Sequence, residues 1–395
     1  MGMHQYLTAQ FKHIFSTKLM PRCFFAPGRI NLIGEHTDYN GGHVFPAAIS
    51  YGTYALVTKR DDNHFRMYSL NLPDKGIIEF TLDELNFNQK HNWANYPKGM
   101  MQYMQRTTNC INKGLDILYF GNIPNGAGLS SSASIEMVTG TLINELFSLP
   151  FNKMDIIHIG QKVENEYLGV QSGIMDQFAV GMGKVNHAVL LNTSTLEHLY
   201  APLQLQEHDI IIIHTNKRRS LTSSAYNTRR KQCEAALKNL QTELHIDHLA
   251  DITPETFERY KKVITSDINR KRAKHVIYEN ERTKQALIEL QQHNIKKFGQ
   301  LINESHISLR DDYEVTGKEL DTIAEASWKQ PGVIGARMTG AGFGGCAIAI
   351  VERSHTKTFQ ENITRIYMNE IDYKPTFYAP KIAGGAQEIK LDRRM

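Results

Sequence analysis

Residues 124–134 read P-N-G-A-G-L-S-S-S-A-S and stand between two different apolar patterns. The residues before this stretch, 115–120, are nearly all apolar and lie between two glycines, as in a mostly buried strand. Beyond the stretch, apolar residues recur at the spacing of a helix face, at Ile135, Val138, Leu142 and Leu146. We therefore predict a strand, a loop and a helix over 132–147, with the serines at the helix N-terminus.

The loop of residues 124–134, called the serine loop below, has the composition of a phosphate site. Gly126 and Gly128 carry no side chain, so the backbone can approach an anion closely. Free N–H groups and the helix dipole favour negative charge there, and serine hydroxyls can donate to phosphate or bind Mg²⁺. The alternative is that the serines only cap the helix and the glycines only form the turn. The P-loop pattern G-x-x-x-x-G-K-[ST] is absent from the sequence, so a different nucleotide-binding architecture is expected.

Composition predicts a cytoplasmic protein of two closely packed domains. The 395 residues are 41% hydrophobic, and the formal charge of +4 is too small for a nucleic-acid footprint. Four well-separated cysteines show no metal-ligand spacing and fit a reducing compartment. The N-terminal residues lack the apolar core of a signal peptide, and no apolar run approaches the length of about 18 residues needed to cross a membrane.

The order of predicted strands and helices favours an α+β arrangement, because the two do not alternate regularly. A second helix is predicted over 153–168, and a helix-rich region over about 222–328. A hairpin turn is predicted at 61–63 and the domain boundary near residue 200, which gives domains 1–200 and 201–395. Strands are predicted at 23–26, 53–58, 65–69, 77–80, 210–213, 346–351 and 381–389.

The glycine-rich stretch 26–46 concentrates charged residues that suit a sugar and a phosphate. Glu35 and Asp38 offer acceptors for sugar hydroxyls, and Arg29 offers a rigid positive fork for phosphate. A solvated surface turn is the alternative interpretation.

Two later stretches also carry candidate residues. Asp176 stands among apolar neighbours and must find a partner, and it is either a general base or a residue of structural capping or ion pairing. Glu164 lies on a predicted helix, and its default interpretation is a solvated face. Residues 340–345 read G-A-G-F-G-G, but a strand pattern follows instead of a helix, so the dinucleotide-binding context is missing. Their bare backbone can instead border the phosphate site.

Three stretches taken together resemble the galactokinase family of the GHMP kinase superfamily. They are residues 26–42 (A-P-G-R-I-N-L-I-G-E-H-T-D-Y-N-G-G), the serine loop, and residues 338–345 (M-T-G-A-G-F-G-G). Residues 163–178, 223–234 and 305–316 extend the similarity, which therefore covers nearly the whole chain.

The resemblance implies a GHMP kinase fold of two domains with the active site between them. The N-terminal domain would be like domain 2 of ribosomal protein S5, and the C-terminal domain would be ferredoxin-like. It also implies phosphorylation of galactose at its anomeric (C1) hydroxyl by ATP and Mg²⁺. Beyond these small molecules, we expect no nucleic acid, no membrane and no obligate protein partner.

The resemblance also implies roles for individual residues. The ATP phosphates would bind at Gly126, Ala127, Gly128, Leu129, Ser130, Ser131 and Ser132, and Mg²⁺ at Ser132 and Glu164. The sugar would contact Glu35, His36, Thr37, Asp38, Gly173 and Tyr226. Ser69 would contact the nucleotide, and Trp93 and Tyr96 would line the adenine pocket, with ordinary packing as the alternative for these three.

Asp176 and Arg29 are the expected catalytic residues. Asp176 can accept the hydroxyl proton, while Arg29 keeps Asp176 ionised and stabilises the transferring phosphoryl group. Because such transition states are loose, positioning and charge neutralisation are expected to outweigh proton abstraction. The other hypotheses are a non-catalytic galactose and ATP sensor, and a kinase for N-acetylgalactosamine, arabinose or another sugar.

Overall fold

A computed structural model of the protein describes residues 2–124, 126–217 and 222–390. These residues form three β-sheets with helices packed on them. The strands are β1 (Arg22–Asn31), β2 (His43–Val44), β3 (Pro46–Lys59), β4 (His64–Ser69), β5 (Ile78–Thr81), β6 (Leu115–Gly121), β7 (His187–Asn192), β8 (His198–Pro202), β9 (His208–His214), β10 (Val333–Thr339), β11 (Cys346–Glu352), β12 (Thr376–Tyr378) and β13 (Gln387–Ile389).

Helices cover the sheets and fill the long charged region of the second half. The α-helices are α1 (Met3–Ile14), α2 (Asn95–Thr108), α3 (Ser131–Phe147), α4 (Lys153–Lys162), α5 (Met175–Met182), α6 (Thr222–Leu240), α7 (Pro254–Tyr260), α8 (Asp267–Gln291), α9 (Ile295–Ser308), α10 (Lys318–Trp328) and α11 (Thr356–Ile371). Single π-helical turns span Val163–Tyr167 and Leu309–Tyr313. Short 3₁₀ helices lie at Asp38–Asn40, Pro73–Lys75, Leu82–Glu84, Gln89–Ala94, Leu249–Asp251, Lys261–Val263 and Arg353–His355.

The largest sheet has the strand order β13-β1-β3-β6-β4-β5 and is covered on both faces. Alternate residues of one strand therefore enter different cores: Ile117 packs under α2 and α3, whereas Leu118 packs under α1. This two-sided burial explains why the sequence of β6 is almost continuously apolar.

A four-stranded antiparallel sheet, β10-β11-β9-β12, forms the second half together with α6 to α11. A small sheet, β2-β7-β8, lies beside residues 32–42 of the glycine-rich stretch, which connect β1 to β2 and are called the first loop below. A shared apolar cluster joins the halves, with Phe45 and Leu129 from the first and Ile212, Phe298 and Ile348 from the second. The mixed fold confirms the predicted α+β class.

Two local predictions are wrong. Residues 61–63 are not a hairpin turn, because β6 lies between β3 and β4 and pairs with β4 in parallel. The connection instead reaches around the start of β6, where Arg60 N–H donates to Gly114 O at 2.9 Å. The strand predicted over 381–389 is also too long: only Gln387–Ile389 is a strand, because residues 383–386 bond to three different segments.

The described helices include none that is both long enough and apolar enough to span a bilayer. The four cysteines are free thiols; Cys110 is exposed and the other three are buried.

Candidate active site

A bulge in β1 brings that strand against the serine loop. The register of β1 with β3 shifts between Pro27 and Gly28, and Arg29 N–H donates to Leu129 O at 3.1 Å. A β-carbon on Gly28 would stand 2.5 Å from Leu129 O. The close approach of the two backbones therefore requires glycine at position 28.

The serine loop opens α3 as predicted, but its serines do not cap the helix. Ser130 adopts a left-handed conformation (φ 64°) and makes no side-chain cap hydrogen bond. Its hydroxyl is buried without a hydrogen-bond partner, although Ser130 borders a cavity. Ser134 instead anchors the helix, because its hydroxyl donates to Ala26 O at 2.8 Å. The helix N-terminus thus faces the cavity with a hydroxyl and N–H groups available to an anion.

Arg29 and Asp176 form a bidentate ion pair in the wall of this cavity. Arg29 Nε donates to Asp176 Oδ1 at 2.9 Å, and Nη2 donates to Oδ2 at 3.0 Å. The third guanidinium nitrogen, Nη1, donates to Gly128 O at 2.6 Å, in the serine loop. The arginine is buried, whereas 27% of the aspartate side chain remains exposed. Asp176 therefore keeps acceptor capacity toward the cavity while Arg29 fixes its orientation.

Glu164 is buried in the π-helical turn that follows α4, so the default prediction of a solvated face is wrong. Ser172 donates a hydrogen bond to its Oε2, and Ser132 forms a second side-chain hydrogen bond with it. Burial raises the pKa of Glu164, while the bond from Ser172 acts in the opposite direction. Ser132, in the serine loop, and Glu164 thus place two side-chain oxygens side by side at the cavity.

The first loop of the glycine-rich stretch presents His36 and Asp38 to the same cavity. His36 Nε2–H donates to Ala341 O at 3.2 Å, which leaves Nδ1 to accept from the Tyr39 hydroxyl at 2.8 Å. Burial lowers the pKa of His36 to about 3, so its ring is neutral. Burial, with the charges of Asp176 and Glu35, raises the pKa of Asp38 to about 7.

Glu35 connects the first loop to the later glycine motif. Its Oε1 accepts from Gly340 N–H at 2.7 Å and lies 3.4 Å from Nη2 of Arg337. Gly340 has a positive φ of 85°, and a β-carbon there would stand 2.8 Å from Gly128 O. Residues 340–345 therefore border the serine loop, as the sequence indicated, and position 340 needs glycine for both conformation and space.

The cavity has a volume of about 510 Å³ and collects most of the predicted site residues. The predicted residues along its wall are Arg29, Glu35, His36, Asp38, Gly126, Gly128, Ser130, Ser131, Ser132, Glu164, Gly173, Asp176 and Tyr226. These residues come from β1, the first loop, the serine loop, the π-helical turn after α4 with the segment that follows it, α5 and α6.

Other predicted residues lie outside the cavity wall. Ala127 and Leu129 are buried in the apolar cluster between the halves. Thr37 uses its hydroxyl inside the first loop, where it donates to Gly34 O and His43 O. Ser69 is buried at the end of β4, and Trp93 packs edge-on against Tyr119 with its indole N–H unpartnered. Tyr96 is half-buried near Glu164, and burial raises its pKa to about 12.

Sequence reasoning missed several residues of the wall and its support. Gly169, Val170, Gln171, Ser172, Met175 and Asn227 also line the cavity. The 163–178 stretch contained the first five, but none of them carries a titratable group, so they gave no chemical signal. Arg337, fully buried behind Glu35, was missed because a single arginine in an apolar strand pattern carries no motif of its own.

Family models match both halves of the chain. The GHMP kinases N-terminal domain model matches residues 95–184, and the GHMP kinases C-terminal model matches residues 286–369. A mevalonate kinase from Methanococcus jannaschii shares the fold, with a TM-score of 0.68, 18% identity and coverage of 93% of this chain and 100% of that chain. The fold and the cavity between the halves thus define a kinase of the GHMP class.

Closer similarities narrow this class. The galactokinase galactose-binding signature matches residues 9–59, which include the first loop. Galactokinases from Ligilactobacillus salivarius and Staphylococcus saprophyticus are 54% and 53% identical; these matches cover 93% and 98% of this chain, and 95% and 100% of those proteins. The crystal structure of Lactococcus lactis galactokinase complexed with galactose has a TM-score of 0.95 and 46% identity, and covers 98% of this chain and 99% of that one. The chain belongs to the galactokinase family.

Proposed function

We propose that this protein transfers the terminal phosphoryl group of ATP to the C1 hydroxyl of galactose. The bidentate pair between Arg29 and Asp176, set between the serine loop and the first loop, carries this proposal. It puts an acceptor for a hydroxyl proton and a fixed positive charge on the same side of one cavity. Membership of the galactokinase family supports galactose as the sugar.

Asp176 receives the proton of the C1 hydroxyl as the new bond from the C1 oxygen to phosphorus forms and the bond from that phosphorus to ADP breaks. Its two oxygens already accept from Arg29, and this fixes the carboxylate plane while leaving lone pairs toward the cavity. Arg29 holds the Asp176 carboxylate in place through its two hydrogen bonds and stabilises negative charge on the transferring group. Because the transition state is loose, positioning by this pair contributes more than proton abstraction itself.

The serine loop holds the triphosphate. The unpartnered hydroxyl of Ser130 and the N-terminus of α3 supply donors, and Gly126 and Gly128 leave the backbone open to the anion. Ala127 and Leu129 contribute backbone only, since their side chains are buried in the apolar cluster. Ser69, Trp93 and Tyr96 are proposed as contacts of the nucleotide beyond the cavity wall.

Ser132 and Glu164 fit a magnesium site. Mg²⁺ prefers oxygen ligands and takes only one or two from protein, with the rest from phosphates and water. In the described residues, His, Cys, Asp and Glu side chains form no group of three able to hold a metal unaided, so phosphate oxygens must complete the shell. When bound, the ion neutralises charge on the transferring phosphoryl group.

The sugar occupies the end of the cavity formed by the first loop and α6. Glu35 and Asp38 supply acceptors for hydroxyls, His36 and Tyr226 form an aromatic wall, and Gly173 leaves room for the Asp38 side chain. Thr37 acts inside the loop by fixing its shape.

We also propose a domain boundary near residue 200 and a cytoplasmic location. The first sheet is built from residues before 122 and the four-stranded sheet from residues after 207, which supports the boundary, although β13 returns to the first sheet. Free thiols in all four cysteines are consistent with a reducing compartment.

The proposal is tested by following phosphate transfer with ³¹P NMR. Purified protein with ATP, Mg²⁺ and galactose should yield a sugar 1-phosphate and ADP in equal amounts. Methyl galactoside, whose C1 oxygen is blocked, should give neither product. ADP release without sugar, phosphate on another hydroxyl, or faster turnover of N-acetylgalactosamine or arabinose would contradict the proposal.

A further inference from the structure

Arg337 is a fully buried arginine whose charge is poorly satisfied by hydrogen bonds. It stands on β10 directly behind the first loop, with no solvent-exposed surface. Only Nη1 donates a hydrogen bond, to Asn31 O at 3.3 Å, while Nε and Nη2 have no hydrogen-bond partner. An arginine retained for structure normally satisfies its donors, because unsatisfied buried donors cost free energy.

Arg272 gives the contrast within the same chain. It is equally buried, yet it donates to Gln232 Oε1 at 3.0 Å, Asp312 O at 2.6 Å and Glu314 Oε2 at 2.7 Å. Those bonds tie α8 to neighbouring segments, away from the cavity wall. Arg272 is therefore a structural arginine. Arg337 makes too few hydrogen bonds for that role, so we look for its role in the effect of its charge on neighbouring groups.

The charge of Arg337 acts on Glu35. Nη2 of Arg337 lies 3.4 Å from Oε1 of Glu35, and both side chains are at most 2% exposed. Burial raises the pKa of Glu35 above its ordinary value, and the charge of Arg337 is the largest influence in the opposite direction, followed by that of Arg29. Glu35 borders the cavity on its other side.

A buried ion pair of this kind is a poor source of stability, because desolvation of both charges offsets their attraction. The pair is therefore best explained by what the carboxylate does at the cavity. We propose that Arg337 is a positioning residue for the sugar: it holds Glu35 charged and oriented so that Glu35 accepts a hydrogen bond from a sugar hydroxyl. This inference rests on the proposed function, because it takes Glu35 as a sugar contact.

The test is a double-mutant cycle on Arg337→Met and Glu35→Gln. Arg337→Met should raise the galactose KM about tenfold or more, the effect of losing a hydrogen bond to a charged group, with kcat and the ATP KM within about twofold. In the Glu35→Gln background the same change should alter the galactose KM by less than about twofold, since no charge remains to be held. Equal effects in the two backgrounds would overturn the inference.

Arg272→Lys is the matched control. It should lower the melting temperature without changing the galactose KM. Arg337→Met could instead behave like Arg272→Lys, lowering the melting temperature and leaving the galactose KM at its wild-type value. Arg337 would then be structural only, and the inference would be wrong.

A second variant covers the case in which Arg337→Met does not fold. Glu35→Met combined with Arg337→Met removes both charges at once, and such replacements are often neutral or stabilising. The double variant should fold with a melting temperature near that of the wild type but show the raised galactose KM. Recovery of the wild-type KM in the double variant would contradict the inference. Absence of sugar phosphate with the wild-type protein would instead refute the proposed function itself.

Discussion

Asp176 and Arg29 are 147 residues apart in the sequence, and their ion pair is the observation on which the proposed chemistry depends. The sequence predicted that Asp176 must find a partner, and the bidentate pair confirms this. Neither residue reveals the pairing by itself, because nothing local to either stretch indicates the other. Their meeting depends on the bulge in β1 and the position of α5.

Asp176→Asn should abolish turnover while ATP still binds. The amide keeps the shape of the side chain but accepts no proton, so kcat should fall by at least about 100-fold with the ATP KM within about twofold. Steady-state kinetics measure both constants, and Asp74→Asn, an exposed position, serves as the control. A kcat near that of the wild type would remove Asp176 as the proton acceptor.

Asp38→Asn should change how stability depends on pH. The pKa of Asp38 is raised to about 7 in the folded protein, from about 3.8 for an exposed aspartate, because of burial and the charges of Asp176 and Glu35. The folded state therefore binds this proton more tightly than the unfolded state, and the contribution of Asp38 to the free energy of unfolding is lost as the pH rises from about 4 to 7. As the pH rises over this range, the free energy of unfolding of the asparagine variant should therefore increase relative to that of the wild type.

Denaturant unfolding of both proteins at pH 5 and pH 8 measures this difference. Asn cannot titrate, so the variant lacks this component of the pH dependence. A stability difference that is the same at both pH values would show that Asp38 keeps an ordinary pKa.

At the scale of elements, local patterns predicted α3 well because its periodicity and its start signal agree. The predicted helix over 132–147 corresponds to Ser131–Phe147, with Val138 and Leu142 fully buried. The second predicted helix is α4 followed by a π-helical turn, and this turn buries Glu164. Periodicity cannot predict such a turn, because the extra residue is accommodated by tertiary contacts.

Gly28→Ala should loosen the contact between β1 and the serine loop. The added β-carbon would meet Leu129 O at 2.5 Å, so backbone must move, and the free energy of unfolding should fall by roughly 1–3 kcal/mol. Because the loop moves with it, the ATP KM should rise more than the galactose KM. Gly121→Ala is the control, since its β-carbon would find its nearest neighbour at 3.7 Å.

Calorimetry and steady-state kinetics test this prediction together. Equal stability and equal ATP KM for the two alanine variants would show that the loop does not depend on the close approach at Gly28.

At the scale of the whole molecule, the first and last strands of the described residues pair in one sheet. β13 pairs with the edge of β1 from Cys23 to Phe25, and Arg22 forms an exposed ion pair with Glu388 at 2.7 Å. β13 is thus the edge strand of the sheet that carries Arg29, although it follows the four-stranded sheet in the sequence.

Removal of residues 387–395 should destabilise the protein far more than Glu388→Gln. The deletion leaves the edge of β1 unpaired and should cost about 2 kcal/mol or more, whereas the exposed ion pair contributes less than about 1 kcal/mol. An open edge also favours aggregation. Thermal unfolding with light scattering compares the deletion variant with Glu388→Gln. Equal melting temperatures would show that pairing of β13 with β1 does not stabilise the sheet.

The sequence by itself determined the class of fold, the serine loop with its helix, and most residues of the cavity wall, because each depends on local periodicity or on a motif. Only the tertiary structure decided which distant residues touch. The insertion of β6 between β3 and β4, the return of β13, the burial of Glu164 and the support of Glu35 by Arg337 all depend on packing between segments far apart in the chain. Such contacts follow from how whole faces are buried against each other, and no local pattern encodes them.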